Sequence, residues 1–283
     1  MKKLGNVILV LTIIITLSGC TSINEVDQEK VKEVSEKITE ALIDTVGNEK
    51  VERLESHTIN AAKISTLNIE SSVGNINIVS HDSSEAIINL TITSQGKSKE
   101  NSTQLVEKFT YSIEEKFNSL NINTTYTDKI FEGDNVAANL DISLPKNIDK
   151  FVISLNVGDV KVENVNGKFE ITNNVGEISI SNSQGSYNLK TNVGDIVLSS
   201  ISGDKKSEIT TNTGDINASF NNIENTSHIK ATTDVGDIEI SVPENSGYEA
   251  ILRGFMEEEQ TISQGNKHTE ISIKTGVGEI KFN

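Results

Sequence analysis

The 283-residue sequence is poor in residues on which several classes of protein depend. It contains 1 Cys, 2 Pro and no Trp, and aromatic residues make up 4% of the chain. A single Cys excludes a disulfide framework within the chain and a zinc cluster built from cysteines. The low aromatic content leaves few of the flat apolar surfaces on which sugars and nucleobases stack.

Basic residues are also scarce. The chain has 25 Lys and Arg against 41 Asp and Glu, a formal charge of −16, and its only arginines are Arg53 and Arg253. Nucleic-acid binding needs clustered Lys and Arg to neutralise phosphates. We therefore expect no nucleic-acid partner.

The N-terminus has the layout of a secretory signal peptide over residues 1–19. Lys2 and Lys3 precede an apolar run that is too short for a comfortable membrane span. The run ends in Leu17-Ser18-Gly19-Cys20, which resembles the bacterial lipobox. That resemblance implies cleavage before Cys20, a diacylglycerol on its thiol and often a further acyl chain, such as palmitate, on the new N-terminus. An ordinary signal peptide with an incidental Cys, or an uncleaved anchor, remains the alternative.

Two or three acyl chains anchor a protein stably, whereas one chain is marginal. We therefore expect a lipid-anchored protein on the outer face of the bacterial cytoplasmic membrane, or on the outer membrane if the cell has one. Membrane lipid is accordingly the first expected partner, through the acylated Cys20.

A Glu- and Lys-rich segment, 24–46, follows the predicted lipid attachment site. Its apolar residues recur at steps of 3 or 4, which predicts an amphipathic helix. They are Val31, Val34, Ile38, Leu42 and Val46. We assign residues 20–60 to a lipidated tether with this helix and residues 61–283 to a repeat domain. The helix either packs on or spaces that domain, or docks onto a partner.

The phrase Val-Gly-acid-aliphatic recurs through the repeat domain. Its glycines are spaced by 18, 18, 20, 22 and 42 residues, at Gly158, Gly176, Gly194, Gly214, Gly236 and Gly278. Between the turns, apolar residues such as Ile178 and Ile180 alternate with polar ones, as in short half-buried strands. Such units predict an all-β parallel β-solenoid with coils of 18–22 residues, in which glycine supplies a positive φ at each turn. Right-handed winding is favoured because the six-residue apolar signature of left-handed hexapeptide helices is absent.

Two columns of polar side chains are expected to follow from this stacking. Asn156, Asn174, Asn192 and Asn212 would form a hydrogen-bonded ladder along the axis. The acids after the glycines would form a column of like charge: Asp159, Glu177, Asp195, Asp215, Asp237 and Glu279. A bridging cation such as calcium is conceivable, but the nine-residue spacing of calcium-binding solenoids is missing. We therefore favour solvated turns and predict no metal and no cofactor.

The recurring coils, with the stretches 140–146 and 271–280, resemble a bacterial family of β-strand-repeat proteins known as candidate adhesins, a domain of unknown function. The resemblance covers about 60–283 and is strongest from residue 140. It implies an extracytoplasmic β-solenoid and supplies no catalytic residues. Residues 81–139 fit less well, and we expect longer, less regular first coils there.

Nothing in the sequence predicts catalysis. The regular coils lack Arg, and His57, His81, His228 and His268 occupy unrelated points of the repeat. The leading hypothesis is a surface lipoprotein whose solenoid is a non-enzymatic binding or adhesion module for a protein or glycan. The alternative is an envelope-stress regulatory or scaffold lipoprotein that docks a membrane partner through 24–46. A polysaccharide-processing enzyme is a remote third possibility.

Overall fold

A computed structural model describes residues 49–96, 98–125, 135–255 and 258–283, with the backbone alone at residue 135. The predicted signal peptide, the Leu17–Cys20 motif and the predicted 24–46 helix lie outside these residues. The described chain is all-β apart from one helix, as the alternating pattern predicts. The elements are β1 Glu49–Asn60, β2 Thr66–Val73, β3 Ile76–His81, β4 Glu85–Gly96, α1 Lys99–Lys108, β5 Ser112–Lys116, β6 Ser119–Thr124, β7 Asn135–Pro145, β8 Lys150–Val157, β9 Val160–Glu163, β10 Gly167–Val175, β11 Ile178–Ser181, β12 Gln184–Val193, β13 Ile196–Thr213, β14 Ile216–Val235, β15 Ile238–Ser241, β16 Tyr248–Arg253, β17 Gln260–Gln264, β18 Thr269–Val277 and β19 Ile280–Phe282.

Most strands stack in parallel on the equivalent strand of the neighbouring coil. β8, β10, β12, β13, β14 and β18 pair in this order before the recurring turn. β9, β11, β13, β14, β15 and β19 pair in the same way after it. Buried and exposed residues alternate along most of these strands, so each coil covers the apolar row of the next and the fold is solenoid-like.

Aliphatic columns fill the core, and one column is aromatic in three successive coils. Phe151 stacks on Phe169 at a ring-centroid distance of 5.0 Å, and Phe169 stacks on Tyr187 at 5.5 Å. The Tyr187 hydroxyl donates to the Ser183 carbonyl at 2.9 Å. This buried hydrogen bond satisfies the polar end of an otherwise apolar column.

Residues 81–125 do not form the longer coils that we expected. β4 pairs antiparallel with both β1 and β7, and β5 with β6 form an antiparallel hairpin. α1 lies between them, in a polar stretch that begins with Ser98 as its N-cap. As a result β2 sits between β6 and β8, and β3 between β7 and β9, so chain order and spatial order differ at this end.

The strand region begins at Glu49, earlier than the boundary at residue 61 that we assigned. β1 runs from residue 49 to 60 and pairs with β4 along its whole length. Its alternate side chains are half-buried, because α1 packs beside this strand. Arg53 on β1 donates to the carbonyls of Val106 at 2.7 Å and Phe109 at 3.0 Å, which satisfies groups at the end of the helix.

At the C-terminal end the chain leaves the solenoid for a hairpin. β16 pairs in parallel with β18, and β17 folds back antiparallel on β16. The sheet order there is therefore β14, β18, β16, β17. Within the described ranges, no helix combines the length and apolar character that crossing a membrane requires.

Candidate binding surface

The recurring turn brings one short segment of every regular coil onto a single line. We call this line the turn ridge. In chain order it comprises Val73-Gly74-Asn75, Val157-Gly158-Asp159, Val175-Gly176-Glu177, Val193-Gly194-Asp195, Thr213-Gly214-Asp215, Val235-Gly236-Asp237 and Val277-Gly278-Glu279. The residues before the glycines are directly paired from coil to coil, from Val73 with Val157 to Val235 with Val277.

Glycine is required at the ridge for two reasons. The predicted turn glycines have φ between 131° and 148°, a region that side chains with a Cβ rarely adopt. A Cβ added to Gly194 would also lie 2.1 Å from the carbonyl oxygen of Gly176. The same approach recurs at Gly158, where the nearest atom is the Gly74 carbonyl oxygen at 2.1 Å. The ridge therefore brings backbones together more closely than any side chain would allow.

The acids after the glycines bind the backbone of the neighbouring coil. Asp159 Oδ1 accepts a hydrogen bond from the Glu177 N–H at 2.9 Å, and Asp195 Oδ1 accepts one from the Asp215 N–H at 2.8 Å. Asp215 does the same for Asp237, and Asp237 for Glu279, both at 2.8 Å. These carboxylates therefore fasten successive coils to one another, a role that the sequence did not predict.

The weak cation-site hypothesis gains no support from this geometry. No three His, Cys, Asp or Glu residues in the described part of the chain are grouped so that they could hold a metal ion. Burial raises the pKa of Glu177, and the nearby charges of Asp159 and Asp195 raise it further. The column is thus an anionic line whose members repel one another.

A second column of hydrogen bonds lies beneath the ridge. Thr211 and Thr233 donate to the carbonyls of Gly194 and Gly214, both at 3.0 Å. Thr191 and Thr275 make the equivalent bond, and Asn173 donates through its amide to Gly158. Sequence reasoning missed this set, although a Thr three residues before the glycine in four units was a visible signal.

The predicted asparagine ladder is present over three coils. The Asn192 amide donates to Asn174 Oδ1, and the Asn212 amide donates to Asn192 Oδ1 at 3.3 Å. These exposed bonds flank the ridge on the side of the preceding strand. They add to the contacts that hold the ridge in one conformation.

The valines of the ridge are its most accessible apolar groups. Val157, Val235 and Val277 are 45%, 49% and 50% exposed. They stand beside the carboxylates of the following acids, so the ridge combines an apolar column with an anionic one. Val235 and Val277 are directly paired, whereas Val175 and Val193 are half-buried, so the apolar surface is largest at the ends of the ridge. Exposed apolar residues with a polar border are a mark of interaction sites.

The four histidines have separate local partners. His57 Nε2 lies 2.8 Å from the Tyr111 hydroxyl, which also donates to Glu55. Burial and this carboxylate raise the pKa of Tyr111 to about 12. His81 Nδ1 accepts from the Ser83 N–H, and His228 Nε2 lies 2.9 Å from Glu270. His268 lies in the C-terminal hairpin region, where its N–H donates to the Asn266 carbonyl.

Most of the chain that carries the recurring turn matches a known protein family. The model of the family Toastrack DUF4097 matches residues 89–283. The chain belongs to this family. The match includes six of the seven ridge segments, so these are features of its Toastrack domain; it begins after Val73-Gly74-Asn75.

Solved structures with a similar chain include a candidate cell adhesion protein from Clostridium sporogenes, with 16% identity, a TM-score of 0.37, and 82% of this chain and 98% of that chain covered. A candidate adhesin from Bacteroides fragilis matches with 16% identity and a TM-score of 0.43, covering 82% and 97%. A candidate adhesin from Parabacteroides distasonis matches with 11% identity and a TM-score of 0.29, also covering 82% and 97%. No curated protein matches the chain.

Proposed function

We propose that this protein is a membrane-anchored bacterial surface lipoprotein whose Toastrack domain acts as a non-enzymatic binding or adhesion module. In this proposal Cys20 carries the lipid and the domain lies outside the cytoplasmic membrane. A right-handed solenoid with coils of 18–22 residues presents the turn ridge to a protein or glycan partner. The lipobox-like N-terminus supports the anchoring, and the ridge supports the binding role.

The observation that carries the binding role is the set of exposed ridge valines, whose turns are hydrogen-bonded from below. Ridge glycines bond to the next coil, as in the Gly194 N–H to the Thr213 carbonyl at 2.9 Å. Carboxylates and buried threonines fasten the same turns from two further directions. A surface fixed in this way loses little conformational entropy when a partner binds, which favours affinity.

The non-enzymatic part of the proposal rests on the dispersion of reactive groups. Catalysis needs a nucleophile, base or acid set within hydrogen-bond reach of a common substrate atom. The His57, Tyr111 and Glu55 cluster is the nearest approach to such a set, and it lies beside Arg53, which holds the end of α1. We infer that this cluster joins the segment after α1, which carries Tyr111, to β1.

The test is proximity crosslinking in living cells, with the full chain compared with a variant that lacks residues 24–46. If the Toastrack domain is the binding element, both versions capture the same protein or wall polymer. If captured membrane proteins disappear with residues 24–46, the regulatory or scaffold alternative is correct and the binding proposal fails.

A further inference from the structure

Four strands lie at the ends of the solenoid, each with a single partner strand among the described residues. They are β1 and β5 at one end and β17 and β19 at the other. An unpaired edge can add a strand from another chain, and proteins commonly block this with charges, short strands or a cover. The four edges differ sharply in this respect.

Three of the edges carry such protection. β1 contains Lys50, Glu52, Arg53 and Glu55 and has α1 packed beside it. β5 reads Ser-Ile-Glu-Glu-Lys, and β19 is three residues long with a central Lys. β17 is different, because its five residues are Gln260, Thr261, Ile262, Ser263 and Gln264 and include no charge. It is the unguarded edge of the described domain.

The core side of the sheet continues into β17. Ile262 pairs with Ala250, which is completely buried, and Gln264 pairs with the buried Tyr248. Directly paired residues on antiparallel strands point to the same side of a sheet. Ile262 therefore lies on the core side, yet 37% of it is exposed. One further strand would cover it.

The sequence of β17 suits one particular neighbour. It reads nearly the same in both directions, with Gln at each end, a hydroxyl residue next, and Ile262 at the centre. We propose that β17 pairs antiparallel with β17 of a second copy of this chain. Around a two-fold axis at Ile262, Gln260 faces Gln264, Thr261 faces Ser263, and Ile262 faces itself. Each cross-strand pair is then chemically matched.

Two acidic side chains near this edge are paired within the hairpin. Arg253 Nε lies 2.7 Å from Glu259, and Lys267 Nζ lies 2.8 Å from Glu249. Repulsion comes from Glu258, two residues before β17, and from the formal charge of −16 on each whole chain. Salt screens such long-range repulsion, so this dimer strengthens as salt is raised.

A five-residue strand buries less area than a standard stable interface, so the dimer is weak in dilute solution. A membrane tether would raise the effective concentration and favour it. The pairing joins two solenoids at their C-terminal ends and places two turn ridges in one assembly. The inference does not depend on what the ridges bind.

Cysteine crosslinking on the full chain in cells tests the contact directly. Ile262→Cys places two thiols opposite each other across the axis, and we expect mild oxidation to yield a covalent dimer. Leu54→Cys is the matched control, since Leu54 is 73% exposed on the edge strand β1. The unsubstituted chain controls for Cys20. Equal dimer yields from Ile262→Cys and Leu54→Cys would overturn the proposal.

Sedimentation of the full chain in detergent supplies a second test. We expect a concentration-dependent dimer that tightens with salt, weakened at least tenfold by Ile262→Lys and unchanged by Leu54→Lys. A monomer at every concentration, or a dimer that survives Ile262→Lys, contradicts the pairing. Hydrogen exchange of the backbone amides of residues 260–264 distinguishes a second copy from the chain's own N-terminal segment as the occupant of this edge. Protection by a second copy depends on protein concentration. Protection that is independent of protein concentration would also refute the second copy as the occupant.

Discussion

The turn ridge and the opposite corner of the coils differ in how they accommodate the residues by which the later coils are longer. The opposite corner comprises 164–167, 182–185 and 200–203, and it repeats at 18 residues like the ridge. Where the spacing grows to 20, the register between β12 and β13 shifts just after Gly185. Where it grows to 22, the register between β13 and β14 shifts only between Leu198 and Lys206. The ridge pairing of Thr213 with Val235 continues undisturbed. Insertions are therefore absorbed at the corner and not at the ridge.

The glycines of the two regions show the cause. Gly194 on the ridge has φ 140°. A Cβ added to it would lie 2.1 Å from a backbone carbonyl oxygen. At the corner, Gly167 and Gly185 of the 18-residue coils also face backbone carbonyl oxygens, at 2.2 Å and 1.7 Å from the Cβ position. Gly203, where the coils begin to lengthen, has no positive φ, and the nearest atom is the Thr226 hydroxyl oxygen at 2.3 Å. A side chain can move away and a paired backbone cannot. The backbone constraint thus continues through every coil of the ridge, whereas at the corner it ends at Gly203, where the coils lengthen.

The largest expected effect is a difference in the free energy of unfolding between alanine variants of Gly194 and Gly203. We expect Gly194→Ala to lower the free energy of unfolding by about 3 kcal/mol or more, because it combines backbone strain with a backbone clash. Gly203→Ala should cost about 1 kcal/mol, because Thr226 can rotate. Denaturant unfolding of both variants measures the difference. A Gly203→Ala cost equal to that of Gly194→Ala would remove the distinction.

A smaller effect is expected in the buried column beneath the ridge. Thr211→Val removes the donor to the Gly194 carbonyl and should cost about 1 kcal/mol, since a partly buried acceptor loses its partner. Ser207 is the matched control, because its buried hydroxyl has no hydrogen-bond partner among the described residues. Ser207→Ala should be neutral or stabilising in the same unfolding experiment. If both variants lose equal stability, the threonine column has no special role.

The smallest effect concerns charge on the ridge. Glu177 has a pKa raised above 4.5, so the folded chain holds its proton more tightly than the unfolded chain. Its contribution to stability therefore falls as the pH rises from 4.5 through the raised pKa. Glu177→Gln should stabilise the protein at pH 7 by about a few tenths of a kcal/mol, because water screens the exposed part.

Glu208, away from the ridge, should behave in the opposite way. Its hydrogen bond with Lys230 lowers its pKa, so it stabilises the fold above 4.5 and loses that contribution as the pH falls through the lowered pKa. Thermal unfolding of Glu177→Gln and Glu208→Gln from pH 3 to 7 compares them. Shifts of the same sign at pH 7 would contradict the account of the ridge charges.

The regular coils could be predicted because each carries its own signal. The Val-Gly-acid phrase and the alternation around Ile178 and Ile196 specify turn, strand and burial within one repeat. Residues 81–125 lack this signal, because β4 finds its partners far away in β1 and β7. α1 carried a capping residue at Ser98, but too narrow an apolar face to be recognised without its neighbours.

The site was predicted only in outline. The positions of the ridge glycines and acids follow from their spacing, and part of the asparagine ladder follows as well. The hydrogen bond that the Asp215 N–H donates to Asp195 Oδ1 depends on the exact register between adjacent coils. The spacing of the repeat alone does not specify that register. The exposure of Val235 beside Asp237 likewise emerges only when the turns are stacked.

The central claim, that the turn ridge is the binding surface, can be tested by photo-crosslinking in living cells. A photoreactive residue replaces Val235 on the ridge in one full-length variant and exposed Ser219, on the strand after the ridge, in another. We expect the same partner to be captured several-fold more efficiently from position 235 than from position 219. Equal capture from both positions, or capture from 219 alone, would contradict the claim.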